Sequence, residues 1–98
     1  MKEAAVNGIK AERPVVAESS MFTHDTTVTT PDGAREKIQI VSQHAYTVVG
    51  ADENGVTLTN PWGKNVIPGS KDKAKATFTM SWRDFYDNFG DVTVGRIP

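Results

Sequence analysis

The chain has 98 residues, 38% of them hydrophobic and 23% charged, with a net charge of −1. That make-up fits one small globular domain with a single modest core, too short for two lobes with a cleft between them. Scattered Lys and Arg leave no basic face for nucleic acid, no apolar run reaches membrane-spanning length, no signal-peptide pattern opens the chain, and the lack of Cys excludes disulfides and thiolate metal sites.

Residues 2–10, KEAAVNGIK, read as a short helix that Gly8 closes from the position after the C-cap. Such a helix is marginal alone and must pack on something. Pro14 opens an apolar run, residues 14–18, with strand character. The stretch 19–33 is rich in Ser, Thr, Asp and Gly. It reads as a long loop with an edge strand at 26–29, ending in the turn signal Pro31-Asp32-Gly33. Residues 37–50 carry a strand pattern in Ile38, Ile40, Val41, Tyr46, Val48 and Val49. Asp52-Glu53-Asn54-Gly55 is a hairpin turn, with Gly55 able to take positive φ. Residues 56–59 form the return strand. Pro61 has no N–H to give a ladder, so regular pairing is expected to stop there. Residues 63–75 read as a polar, lysine-rich loop.

Residues 77–80 make another strand. Ser81 has the place of a helix N-cap, with Asp84 three residues on and a Met80–Phe85 staple spacing across it. Trp82, Phe85 and Phe89 share one face of this helix, assigned to core packing, and Gly90 ends it. Residues 92–97 make the last strand. The sum is an α+β, mainly β domain over 1–98: an antiparallel sheet or partly open barrel of five or six strands. A short N-terminal helix leads it, and a second short helix lies near 82–89.

The hairpin holds the chemistry. His44, Tyr46 and Val48 alternate onto one face, and Val56, Leu58 and Asn60 onto one face of the return strand. An Asn oxygen that accepts from one imidazole nitrogen fixes the tautomer and frees the other nitrogen as base or ion-pair partner. Asn does so without adding charge. Direct opposition of His44 and Asn60 needs a hairpin centred on Asp52, whereas the Asn54-Gly55 signal displaces Asn60 by about four residues, roughly 13 Å of strand. A bulge at Gly55 or near Asn60 is expected to absorb the difference.

The blocks His44-Ala45-Tyr46, then Asn60-Pro61-Trp62-Gly63, then Phe78, Met80, Ser81, Asp84 and Phe85 resemble the second lobe of a calpain-like cysteine protease, within the papain-like group. The likeness covers residues 12–96, with three blocks in the family's order. It implies the fold of the C-terminal lobe of papain-like enzymes. It also implies catalytic roles: His44 as base, Asn60 as the residue that orients it, and Trp62 as the aromatic that shields their hydrogen bond. The family's nucleophilic Cys and oxyanion-hole Gln belong to an earlier lobe; Gln43 does not match that motif. Family members place acidic residues soon after N-P-W-G, whereas Lys64 and Asn65 stand here. No metal site and no cofactor are therefore expected. The partners implied are a cysteine-bearing N-terminal lobe of the same parent protein and a polypeptide substrate, with no nucleic acid and no membrane.

Each feature also has a plainer reading. A histidine at a strand start is usually a surface or core residue, Asn before Pro initiates turns, and Trp62 could be core. His24 beside Asp25 has no partner at ligand spacing and reads as solvated. Lys64, Lys71, Lys73 and Lys75 read as a solvated loop. The alternative function is a non-catalytic binding or structural domain that keeps the protease-lobe fold. Length favours a fragment, because a complete enzyme of this type needs both cleft walls. The chain is expected to be soluble.

Without a thiol, His and Asn cannot form an acyl-enzyme. The chain alone is expected to leave unfolded casein and fluorogenic peptides uncleaved. Turnover that persists through purification and disappears in His44→Ala would overturn this.

Overall fold

The computed structural model describes residues 1–96. Nine elements follow in chain order: α1 (Lys2–Lys10), β1 (Val15–Ser19), β2 (Thr26–Thr29), β3 (Arg35–Ile38), β4 (Ala45–Ala51), β5 (Val56–Val66), β6 (Lys73–Met80), α2 (Trp82–Asn88) and β7 (Phe89–Val94). The strands form one seven-stranded sheet in the order β3-β2-β6-β5-β4-β1-β7. Every pairing in it is antiparallel. The architecture is the expected mainly β one, with seven strands rather than five or six and with open edges at β3 and β7. Past the end of β3, Gln39 N–H donates to the Val66 carbonyl of β5 at 2.8 Å. β3 and β5 are three places apart in the sheet, so the sheet curls over at this end.

Alternation along the strands sorts the two faces. Val15 and Ala17, Val28, Tyr46 and Val48, Val56 and Leu58, and Phe78 and Met80 are buried. The opposite face is largely threonine. Thr57 and Thr79 share a hydroxyl hydrogen bond at 2.7 Å, Thr77 donates to Thr59 at 3.0 Å, and Arg35 donates to Thr29 at 2.8 Å. β-branched residues with mutually satisfied hydroxyls suit a wet sheet face.

Several boundaries differ from the sequence reading, each for a local reason. Gly8 does not close α1. The helix continues to Lys10, and a Cβ at Gly8 would lie 2.7 Å from Val15 Cγ2 and 3.1 Å from Val94 Cγ1. The glycine is there so that α1 can sit on β1 and β7. The helix ends instead with Glu12 at φ +56, where Arg13 N–H reaches Gly8 C=O and Glu12 N–H reaches Ile9 C=O. That is the Schellman pattern with Glu in the left-handed position. Gly55 does not use positive φ either. Asp52 makes the turn by accepting the N–H groups of Asn54 and Gly55 on its carboxylate. Gly55 is needed because a Cβ there would meet the Met80 carbonyl at 2.6 Å.

β2 is an interior strand, flanked by β3 and β6, and not an edge. Residues 37–50 are two strands, β3 and β4, separated by an irregular segment at 39–44. Gln43, at φ +50, turns the chain there. Nor does β5 stop at Pro61. Its ladder with β6 breaks between Thr59 and Lys64 and then resumes through Lys64, Asn65 and Val66. Residues 64–66 and 73–75 are thus hairpin rather than loop, and Gly69 at φ +75 serves its turn. Gly90 lies within β7 instead of ending α2, because Phe89 already turns to extended backbone at φ −117, ψ 145. β7 runs over Phe89–Val94; Ile97, placed by the sequence in the last strand, lies outside the described residues.

α2 is built as its sequence implies. Ser81 accepts the Asp84 N–H on its hydroxyl at 3.1 Å. Trp82, Phe85 and Phe89 are buried, and the Phe85 and Phe89 rings stack at 4.6 Å. Trp82 Nε1–H donates to the Asp52 carbonyl at 2.7 Å, which ties α2 to the β4–β5 turn. Asn88, fully buried, accepts the His24 N–H and donates to Thr26 Oγ1 and to the Asp84 carbonyl. It thereby pins the β1–β2 loop to the helix.

Phe85→Ala should therefore cost about 3 kcal/mol or more, and Ser81→Ala about 1 kcal/mol. Denaturant melts measure both, and a Phe85→Ala protein as stable as the parent would contradict the burial of this helix face.

Candidate functional site

His44 stands just before β4, where the positive φ of Gln43 delivers the chain into the strand. Ser19, at the end of β1, grips its backbone. The Ser19 hydroxyl accepts the His44 N–H at 2.9 Å, and the Ser19 N–H donates to the His44 carbonyl at 3.0 Å. The irregular segment before His44 is held as firmly. Val41 N–H donates to the Tyr46 hydroxyl at 3.0 Å, Gln43 N–H to the Ser20 carbonyl, and Thr23 Oγ1 to the Ile40 carbonyl. Sequence reasoning missed Ser19, because a serine in a Ser/Thr-rich stretch carries no local sign of a contact 25 residues away.

Asn60 faces the core from β5 and is 2% exposed. The β4–β5 register pairs Thr47 with Thr59 and Val48 with Leu58, then shifts by one between Val48 and Gly50. The bulge on this pair is therefore at Val49 in β4, and not at Gly55. One step beyond Thr47–Thr59, Asn60 stands across from Tyr46, so His44 reaches it diagonally. On its other side Asn60 begins the stretch where β5 leaves β6, as the sequence reading allowed. Gly63, at φ +81, completes that bulge in a conformation that favours glycine.

The two side chains meet. His44 Nε2 lies 3.0 Å from Asn60 Oδ1. The same oxygen accepts the Trp62 backbone N–H at 3.0 Å. A backbone N–H can only donate, so this amide atom is an acceptor and Nε2 must carry the proton. In neutral His44 the bare nitrogen is then Nδ1, which makes no hydrogen bond to the protein among the described residues. The ring is held between two aromatics, Tyr46 edge-on at 4.9 Å and Trp62 tilted at 4.5 Å. Trp62 is 55% exposed and His44 half-buried, so the site is at the surface.

Tyr46 is fully buried and forms no part of an exposed patch with Trp62. Its ring packs on Phe78 and Phe89. A hollow of about 560 Å³ lies elsewhere on the molecule, lined by Met1, Lys2, Val6, Glu53 and Tyr86. His24 is exposed, and no group of acidic and histidine side chains among the described residues has the arrangement of a metal site.

No protein-family model matches the chain, and no curated protein or solved structure matches it either. Chemically, the arrangement is a half-buried imidazole of fixed tautomer, held by a neutral amide, with Nδ1 unpaired among the described residues.

Burial pushes the Tyr46 phenol above its ordinary value, partly opposed by the Val41 N–H given to its oxygen. The stability linked to a raised folded-state value is whole below the unfolded value of 10.0 and is lost as pH rises through the folded one. Denaturant melts at increasing alkaline pH should show this loss, and Tyr46→Phe should reduce it. Equal alkaline loss in both proteins would mean that the phenol is not buried as described.

Proposed function

We propose that the chain is the His/Asn-bearing lobe of a calpain-like cysteine endopeptidase, completed by a cysteine-bearing lobe of the same parent protein. The observation that carries this reading is the 3.0 Å contact of His44 Nε2 with Asn60 Oδ1, which leaves Nδ1 free beside Trp62. The three sequence blocks, in the family's order, add to it. A thiol brought to Nδ1 by the other lobe gives up its proton there. The imidazolium then stabilises the thiolate, while Asn60 keeps the ring in place without a competing negative charge. After attack on a peptide carbonyl, the Nδ1 proton passes to the leaving amine, and the thioester is hydrolysed by water that Nδ1 deprotonates. His44 is the acid–base residue, Asn60 the positioning residue and Trp62 its support. The open surface at His44 suits a cleft wall whose other wall is a separate lobe.

Two measurements test this. The coding sequence upstream should contain a cysteine-bearing helix; its absence favours the alternative, a non-catalytic binding or structural domain. Where that lobe exists, the two lobes together should cleave unfolded protein. His44→Ala should abolish turnover, and Asn60→Ala should lower it by roughly 10²-fold through misplacement of the ring. Full turnover in His44→Ala would reject the proposal.

A further inference from the structure

The hydrogen bonds around Asn60 do not end with it. Its Nδ2 donates to Asn65 Oδ1 at 3.0 Å, between two side chains that are 2% and 1% exposed. Asn65 Nδ2 in turn donates to the backbone carbonyls of Lys75 at 2.7 Å and Ala76 at 3.1 Å. Backbone carbonyls can only accept, so the nitrogen of Asn65 must face β6 and its oxygen must face Asn60. That leaves the nitrogen of Asn60 toward Asn65 and its oxygen toward His44. The direction set at β6 is passed through two amides to the imidazole. The Trp62 N–H sets the same direction from the other side.

We propose that Asn65 is a positioning residue for His44: it fixes the orientation of the Asn60 carboxamide and, through it, the tautomer that leaves Nδ1 bare. The part this plays in catalysis rests on the function proposed above; the tautomer itself does not. The bulge explains why such a residue is needed. Between Thr59 and Lys64 the β5–β6 ladder is broken opposite Ala76. The Asn65 amide supplies donors to carbonyls on that stretch of β6, and its remaining polar atom is the one that meets Asn60. A reversed Asn65 would set oxygen against two carbonyl oxygens and nitrogen against the Asn60 nitrogen, at a buried site where unpaired polar groups are costly. A reversed Asn60 would set nitrogen against the Trp62 N–H. Each amide holds the other in register.

The test reads the imidazole directly. Ring ¹⁵N shifts of His44 in the isolated chain, at a pH where the ring is neutral, should show Nε2 protonated and Nδ1 bare. Asn65→Leu, close in volume and without polar atoms, should move the tautomer ratio toward Nδ1–H by roughly fivefold, the factor equivalent to about one net hydrogen bond. Asn60→Ala should move it as well, and adding Asn65→Leu to Asn60→Ala should move it no further. A folded Asn65→Leu protein with an unchanged ratio would overturn the proposal. So would an equal shift in the Asn60→Ala background, since Asn65 would then not act through Asn60. Where Asn65→Leu fails to fold, the parent chain still decides. The Asn60 side-chain amide protons should exchange with solvent far more slowly than those of exposed Asn54, and equally fast exchange would overturn the proposal. Turnover is no part of this readout. Failure of the two-lobe enzyme would reject the catalytic reading and leave Asn65 as assigned, whereas an active enzyme with an unmoved tautomer ratio would do the reverse.

Discussion

The bulge in β5 between Thr59 and Lys64 is the constraint on which the site depends. An uninterrupted ladder would offer no place for Pro61, which lacks an N–H, and no reason for Gly63 to leave ordinary backbone space. By stepping away from β6, the strand turns the Trp62 N–H onto Asn60 and carries the indole against His44. At the interruption Asn60 takes up the Trp62 N–H and Asn65 the Lys75 and Ala76 carbonyls, and no buried side-chain N or O atom among the described residues is left unsatisfied. The N-P-W-G block is thus first a solution to a backbone problem. Its chemistry follows from how that problem is solved.

His44 is placed by a different device. Nothing in β4 itself holds it, since the strand begins at Ala45. The left-handed turn at Gln43 and the grip of Ser19 set its backbone, while Tyr46 fastens the preceding segment by its hydroxyl. The histidine and the asparagine therefore come from two separately secured pieces of chain, and the hydrogen bond between them closes a frame already built. The imidazole is thus held in a preformed geometry.

What the sequence disclosed followed from periodicity and from side chains whose roles are local. The Ser81 cap, the aromatic face of α2, and the alternation of Val48, Val56 and Leu58 onto shared strand faces all stand as read, those faces being turned to the core. Alternation put His44 and Asn60 on facing positions, while the turn signal set them apart along the strands; the shifted β4–β5 register and a diagonal reach bring them together. The readings that failed were those where a residue answers to something distant in the chain. Gly8 and Gly55 read as conformational glycines, yet each is a contact glycine, fitted to Val15 and to the Met80 carbonyl. Pro61 read as a strand end because a bulge that lets a strand continue leaves no mark in composition. Ser19, Asn65 and Asn88 were silent for the same reason: a buried polar residue is recognised by its partners, which only the fold supplies.

The rings of the protein form a continuous series: Trp62, His44, Tyr46, Phe89, Phe85 and Trp82, each within 5.4 Å of the next, centre to centre. The imidazole sits near one end, and the capped helix at the other. Disorder at the surface histidine would therefore remove ring contacts that continue into the core. The two tryptophans lie at the two ends of the series and are the only two in the chain. The molecule thus carries its own pair of fluorophores, one beside the histidine and one in the helix, reporting on opposite ends of one chain of ring contacts.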